Sequence, residues 1–270
     1  MSAAGPAAAL RVERCFRFVA VGWLLGWFCK AGYYGPALLR DGFAARLDVA
    51  GFSPLVRHPL VVAAAWLAPL AVIPVVVWPR RRLRVAAAAL MAVASLVACV
   101  HLETFNDATF VTSFWVALWL LWLAVVTPSA DEATTLAHAR RLAQCVVGLV
   151  FFGAAMGKLT PEHIDGDVLL HVYLLGKDRF PYPELRSAFS PERLASLARL
   201  LSRAVIVGEL LLAASPLMPF RVAALLGAAM MTLMIAGSSL YLVSVLACLL
   251  ALLGGAALLS AAGGTRLRRT

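Results

Sequence analysis

The chain has 270 residues, of which 62% are hydrophobic and 14% are charged, whereas soluble domains carry about 25% charged residues. This composition excludes an ordinary water-soluble domain and indicates an integral membrane protein. The net charge of +10 does not indicate a nucleic-acid partner, because the basic residues lie between apolar runs and at the two ends. Such a distribution is typical of membrane topology and of an attraction to anionic membrane lipid.

Eight apolar segments are each close to the length that crosses a bilayer as a helix. They predict an all-α helical bundle that forms a single integral membrane domain over residues 1–270. In chain order the predicted spans cover residues 16–36, 59–78, 84–102, 109–126, 142–159, 200–218, 221–237 and 240–260. Seven spans remain an alternative, because the last two come from one apolar stretch that is broken only by AGSS at 236–239.

The basic clusters predict the orientation, since cytoplasmic loops carry an excess of lysine and arginine. With the amino terminus in the cytoplasm, all of these clusters fall on the same side: RVER (11–14), PRRRLR (79–84), HARR (138–141), Arg221 and RLRR (266–269). Both termini are then cytoplasmic, in a membrane such as the bacterial inner membrane. The first apolar run lacks a small-residue cleavage site, so we expect it to remain as a span.

Several polar residues flank the first four spans. Lys30, in GWFCKAGYYG, is expected to reach the membrane interface beside its tyrosines. In HLETFNDATF, Asn106 or Asp107 is predicted to cap the fourth span, because both residue types accept hydrogen bonds from free backbone N–H groups. His101 and Glu103 are candidate pocket residues, but their spacing supplies no further ligands, so no metal site is predicted.

Two charged residues occur within later spans, where a charge costs about 2.5–3.5 kcal/mol and usually faces protein or a cavity. Lys158 ends the fifth span after GAAMG, a run of small residues that lets helices approach closely. Either it extends to the lipid headgroups, or neighbouring helices shield it and it acts as a base. Glu209 lies in mid-helix and is predicted to be paired or protonated, in a structural or a functional role.

The longest connection, residues 160–199, ends in a predicted amphipathic helix. Ser190 is placed to cap that helix, and Pro191 occupies its first position. Arginines alternate with leucines over residues 190–203, which is typical of a helix that lies in the membrane interface before it enters lipid.

The predicted topology brings five polar residues toward the outer side of the membrane: Lys30, Glu103, Asp107, Lys158 and Glu209. Independent interfacial residues would be scattered over both sides. We therefore expect a polar cavity that opens outward, with Glu162 and His163 at its mouth.

The five cysteines lie in or beside apolar runs, and none forms a CxxC motif. This pattern predicts small buried hydrophobic residues, not disulfides or metal ligands. They are Cys15, Cys29, Cys99, Cys145 and Cys248.

The sequence VFFGAAMGKLTPEHIDGDVL (150–169) resembles the Lys-Leu span of a known superfamily. This superfamily contains the vitamin K-dependent γ-carboxylase and the horizontally transferred transmembrane domain (HTTM) proteins. Residues 106–123 and 207–225 are similar to an earlier and a later element of the same family, and the order and spacing fit across roughly residues 10–250. DoxX-like quinone-linked membrane proteins share the small-residue and lysine motif, so they remain an alternative.

The resemblance implies that Lys158 is the base that deprotonates a vitamin K-like hydroquinone, in a pocket shaped by Glu209, Asp107 and Glu103. The match is incomplete, because the carboxylase has a histidine where this chain has Asp107 or Ala108. A second expected histidine is not evident in residues 230–239, and the large lumenal domain is not evident either. The resemblance therefore implies a lysine-centred pocket for a quinone-like or other amphiphilic ligand more than carboxylation of a protein substrate.

Two other functions remain open. Small members of the superfamily resemble toxin-maturation proteins, so the chain could be a non-catalytic maturation or assembly factor for a secreted protein or peptide partner. A transporter is the third alternative, although the spans show no evident repeated halves and no paired broken helices.

Overall fold

The computed structural model describes residues 6–40, 58–100, 107–126, 132–178, 180–237 and 242–259. Within these ranges the regular structure is helical. In chain order it consists of α1 (Pro6–Arg40), α2 (Pro59–Val77), α3 (Arg81–Val100), α4 (Ala108–Val126), α5 (Glu132–Met156), α6 (Pro161–Ile164), a π-helix (Leu169–Leu174), α7 (Tyr182–Ala188), α8 (Pro191–Ala213), a 3₁₀ turn (Ser215–Leu217), α9 (Phe220–Gly237) and α10 (Val243–Leu258).

Each of the eight predicted spans overlaps one of the described helices, so the prediction of an all-α membrane bundle is confirmed. Among the described residues, six helices are long and apolar enough to cross a membrane, namely α1 to α5 and α9. The other two long helices, α8 and α10, are not among these six, for separate reasons. Helix α10 is apolar but has 16 residues, and α8 has 23 residues but carries three arginines in its first 13 positions.

The chain divides into two compact units. Unit 1 comprises residues 1–143 and 243–270, and unit 2 comprises residues 144–242. The division falls within α5, so α1 to α4 and α10 belong to unit 1, while α6 to α9 belong to unit 2. The single membrane domain expected from the sequence stays a prediction.

In unit 1, small residues let α1 and α10 pack closely although they lie at opposite ends of the chain. A side chain on Gly22 would overlap Ala251, and a Cβ atom on Gly26 would lie 2.5 Å from the carbonyl oxygen of Ser244. Small residues one helical turn apart commonly allow this backbone approach in membrane bundles.

An aromatic cluster fixes α1, α2 and α4 relative to one another in unit 1. Trp27 stacks on Trp23 with ring centroids 4.9 Å apart, and it also contacts Trp66 at 5.5 Å and Phe110 at 5.2 Å. Buried aromatic pairs of this kind contribute about 0.5–1.5 kcal/mol beyond the area they bury. The cluster therefore places the start of α4 against the second half of α1.

In unit 2, a reciprocal set of hydrogen bonds holds the turn between α8 and α9 against α5. Gln144 Nε2 donates to the carbonyl oxygens of Ser215, at 2.8 Å, and Met218, at 2.9 Å. Ser215 Oγ donates in return to the carbonyl oxygen of Gln144 at 3.0 Å. Because each of these buried polar groups has a partner, the end of α8 is fixed beside α5.

The α5–α8 connection, residues 157–190, has a small core of its own. Leu174 and Tyr182 pack against Leu194 and Ala198 of α8. Arg186 donates to the carbonyl oxygen of Leu174 at 3.0 Å, which satisfies a free acceptor at the end of the π-helix.

Two further contacts place this connection along the first half of α8. Gly166 adopts φ +85°, and a Cβ atom there would lie 2.5 Å from the backbone nitrogen of Arg199. Only glycine combines this left-handed conformation with so close an approach. Ser190 accepts a hydrogen bond from the N–H of Arg193, and Pro191 begins the helix, so the predicted start of α8 is confirmed. The sequence did not predict α6, the π-helix or α7.

The cysteine prediction is only partly correct. Cys15 and Cys248 are buried as expected, but Cys29 and Cys145 are exposed and Cys99 is half-buried.

Candidate functional site

Lys158 folds back toward the end of α5 and pairs with Glu209 of α8. Its ammonium nitrogen donates to Glu209 Oε1 at 2.7 Å and to Oε2 at 3.0 Å. The same nitrogen lies 3.4 Å from the carbonyl oxygen of Ala154, four residues earlier. A cation is favourable here because the last carbonyl groups of a helix are unpaired and carry partial negative charge. The Lys158 ammonium is thus bound by acceptors of both α5 and α8.

The two side chains of this pair differ in exposure. Glu209 is 5% exposed and Lys158 is 31% exposed. Pairing of Glu209, which its mid-helix position predicts, is confirmed. Lys158 is the more exposed member of the pair.

Helical spacing explains why Glu209 points inward. Ser202, Ile206 and Glu209 follow one another at i, i+4 and i+7, and all three are buried. Leu200, Val207 and Leu211 lie on the other side of α8 and are exposed, as expected of a face that meets lipid. The amphipathic pattern of α8 therefore directs a single carboxylate into the protein.

Helix α6 lies against α8 beside this pair. The hydroxyl of Ser202 donates to the carbonyl oxygen of His163, and Arg203 Nε donates to that of Ile164 at 3.2 Å. The pKa of Glu162 lies below its ordinary value, because its carboxylate accepts hydrogen bonds from its own backbone N–H and from the hydroxyl of Thr160. Glu162 and His163 are the two residues predicted at the cavity mouth. The backbone of His163 is hydrogen-bonded to α8 through Ser202, and Glu162 is exposed.

Unit 1 contains a second lysine–carboxylate pair. Lys30 Nζ lies 2.8 Å from Asp107 Oδ2, and the two side chains are only 8% and 10% exposed. The hydroxyl of Tyr34 donates to the same oxygen at 2.8 Å. A buried carboxylate one helix away binds the Lys30 ammonium, and the expectation that Lys30 lies at the membrane interface stays a prediction.

Asp107 also caps α4. Its Oδ1 accepts a hydrogen bond of 2.7 Å from the backbone N–H of Thr109, so the predicted capping role is confirmed for this residue. Sequence reasoning missed the pairing with Lys30 and the contribution of Tyr34. Tyr34 follows Lys30 by one helical turn, and that spacing was the available signal.

The remaining candidate residues cannot be placed with these pairs. His101, Glu103 and Asn106 lie outside the described residues. The described residues contain no group of three or more histidine, cysteine, aspartate or glutamate side chains that could hold a metal ion. The single outward-opening cavity stays a prediction, since each pair forms within its own unit.

The Lys158–Glu209 pair can exchange a proton internally. Moving one proton along the 2.7 Å hydrogen bond converts the ammonium and carboxylate into a neutral amine and a neutral carboxylic acid.

Comparisons with known proteins do not assign the chain to a family. No protein-family model, no curated protein and no solved structure matches the chain.

Proposed function

We propose that this chain is an integral membrane enzyme that acts on a reduced quinone, with the Lys158–Glu209 pair as the proton acceptor. One observation carries the proposal: a buried carboxylate binds the lysine ammonium through both oxygens, while the lysine stays 31% exposed. A pair with a purely structural role does not require that one of its side chains is exposed, and it does not require a position beside apolar helix surfaces.

The chemistry of the pair fits a lipid-soluble hydroxyl compound. A reduced quinone would supply a hydroxyl proton and a pair of electrons, and the dioxygen consumed in the test below would accept those electrons. Lys158 Nζ accepts the proton in its amine form while Glu209 holds the proton that it took from the lysine. Loss of that proton from Glu209 to water then restores the pair of ammonium and carboxylate. A uniformly charged ligand fits less well, because the pair has no net charge to attract it.

The motif in residues 150–169 supports placing the chain near the HTTM and γ-carboxylase-like proteins, with DoxX-like proteins as the alternative. The basic clusters support a plasma-membrane location, such as the bacterial inner membrane, with both termini in the cytoplasm. The Lys158–Glu209 pair would then lie toward the outer side.

The test is oxygen uptake driven by an added reduced quinone in membranes that contain the protein. Lys158→Ala should lower this uptake by about 100-fold or more, which is the usual contribution of a general base. Lys177→Ala is the matched control, since Lys177 is a half-buried lysine of the same unit whose backbone carbonyl oxygen, which the substitution keeps, accepts a hydrogen bond from Arg186. Its uptake should match that of the unchanged protein.

Three results would overturn the proposal. Equal uptake by Lys158→Ala and the unchanged protein would remove the lysine from catalysis. A stoichiometric protein partner that copurifies without a quinone would favour the maturation or assembly factor. Concentrative uptake of a solute into proteoliposomes would favour the transporter.

A further inference from the structure

Helix α8 holds the short segment that carries Lys158 at two points. Near its end, Glu209 binds the Lys158 ammonium. Seven residues earlier, the hydroxyl of Ser202 donates to the carbonyl oxygen of His163. Both α8 side chains are buried, and at 1.5 Å per residue the two contacts lie about 10 Å apart along the helix. One face of α8 therefore binds both ends of residues 158–163.

Backbone hydrogen bonds connect the two ends of this segment. The N–H of Lys158 donates to the carbonyl oxygen of Ala155 at 2.9 Å, so Lys158 continues the last turn of α5. The N–H of Ile164 donates to the carbonyl oxygen of Thr160 at 2.9 Å. The hydroxyl of Thr160 also lies 3.1 Å from His163 Nδ1. A displacement of α6 therefore moves Thr160, and Lys158 lies only two residues before it.

Two neighbouring side chains of α8 bind the backbone of α6, and they differ in exposure. Ser202 is 6% exposed, whereas the side chain of Arg203, which donates to Ile164 at 3.2 Å, is 55% exposed. Water can replace an exposed donor, but it replaces a buried donor at a higher cost. The Ser202 hydroxyl therefore contributes more to the position of α6 than the Arg203 guanidinium does.

The rest of the α5–α8 connection is held by contacts that do not involve Ser202. Gly166 packs against the backbone of Arg199, and Leu174 and Tyr182 pack against the first half of α8. Loss of the Ser202 hydroxyl should therefore release the part of the connection nearest to Lys158 and leave the remainder folded.

We propose that Ser202 is a positioning residue that holds the Lys158 ammonium against the Glu209 carboxylate through the backbone of α6. Its effect on catalysis rests on the proposed function, because a base acts only within hydrogen-bond reach of the group whose proton it accepts. A misplacement of about 1 Å can lower a rate by about 100-fold. Ser202 itself transfers no proton.

The test measures how strongly pairing protects Lys158, and it needs no quinone. Acetic anhydride reacts with a free amine, so a lysine that leaves its carboxylate is acetylated faster. The protein is reconstituted in lipid, and mass spectrometry follows the acetylation rate of Lys158. Ser202→Ala should raise this rate about fivefold, which is the usual contribution of one hydrogen bond. Ser202→Thr keeps a hydroxyl and should restore the slow rate.

A neighbouring serine and two other lysines supply the controls. Ser196→Ala is the matched variant, because Ser196 is exposed and its hydroxyl donates to the carbonyl oxygen of Glu192 in its own helix, at 3.0 Å. The Lys158 rate should then equal that of the unchanged protein. In each sample Lys30 reports on unit 1 and Lys177 on the rest of the connection, and neither rate should change.

Three results would overturn the positioning role. The first is an unchanged Lys158 rate in Ser202→Ala. The second is an equal rise at Lys177, since this result indicates that the whole connection loosens. The third is a fast Lys158 rate in Ser202→Thr, because a retained hydroxyl would then not be sufficient.

This design separates the two proposals. If Lys158→Ala abolishes quinone-driven oxygen uptake while Ser202→Ala leaves the acetylation of Lys158 slow, only the positioning role fails. If Ser202→Ala speeds acetylation but no quinone-driven uptake is found, the proposed function fails and the positioning role remains.

Discussion

The two lysine–carboxylate pairs are similar in length but differ in their surroundings. The shortest nitrogen–oxygen distances are 2.8 Å for Lys30 and Asp107 and 2.7 Å for Lys158 and Glu209. Lys30 is 8% exposed, whereas Lys158 is 31% exposed. Burial on both sides indicates a structural pair, while partial exposure of one member leaves room for chemistry. Distance alone therefore does not distinguish the two roles.

The carboxylates also differ in their hydrogen-bond donors. Asp107 precedes α4, where backbone N–H groups are free, so it binds Thr109 N–H as well as Tyr34 and Lys30. Glu209 lies in the last third of α8, where the backbone N–H groups already bond within the helix. It therefore depends on Lys158 for its stabilisation, and a proton that leaves Lys158 has an acceptor at hand.

The largest loss of stability is expected from Asp107→Ala. A small loss would contradict the structural role of the Lys30–Asp107 pair. The substitution leaves the Lys30 ammonium buried without its carboxylate and removes the cap of α4, so the free energy of unfolding should fall by about 3–5 kcal/mol. Reversible unfolding in mixed detergent micelles measures this change. Asp107→Asn keeps the capping oxygen and should cost clearly less. Equal losses in the two variants would contradict a role for the charge.

A smaller loss of stability is expected from Glu209→Ala, and this variant tests whether the two pairs differ in their contribution to stability. Lys158 is partly exposed and can turn toward the aqueous side, so the loss should be about 1–3 kcal/mol in the same unfolding measurement. Glu209→Gln, which keeps a hydrogen-bond acceptor, should lose less. A loss as large as that of Asp107→Ala would show that this pair is structural too.

The smallest effect is expected from Tyr34→Phe, which removes one donor from Asp107 and should cost about 1 kcal/mol. Tyr33→Phe is a matched control, because Tyr33 is 64% exposed. The Lys30 ammonium lies at similar distances from the two ring centroids, 5.8 Å for Tyr33 and 5.7 Å for Tyr34. A difference between the two variants therefore measures the hydroxyl hydrogen bond, and equal stability would exclude a contribution from it.

Much of the fold and part of the site could be predicted because they depend on short stretches of sequence. Hydropathy over about 20 residues located the eight long helices of the described residues. Ser190 and Pro191 marked the start of α8, and Asp107 marked the cap of α4, because capping involves residues only two or three positions apart. Lys158 and Glu209 were recognisable as candidates because each is charged within an apolar run.

The sequence by itself thus determined that this is an all-helical membrane protein, and it identified which charged residues need shielding from lipid. Only the tertiary structure decided which partners shield them: Lys30 meets Asp107 across 77 positions, and Lys158 meets Glu209 across 51. It also decided that residues 161–188 fold onto α8, which no local pattern indicated. The physical reason is that hydropathy and capping act within one helix, whereas an ion pair depends on which helix faces which. That choice is set by close contacts, such as Gly22 with Ala251 in unit 1 and Gln144 with Ser215 in unit 2.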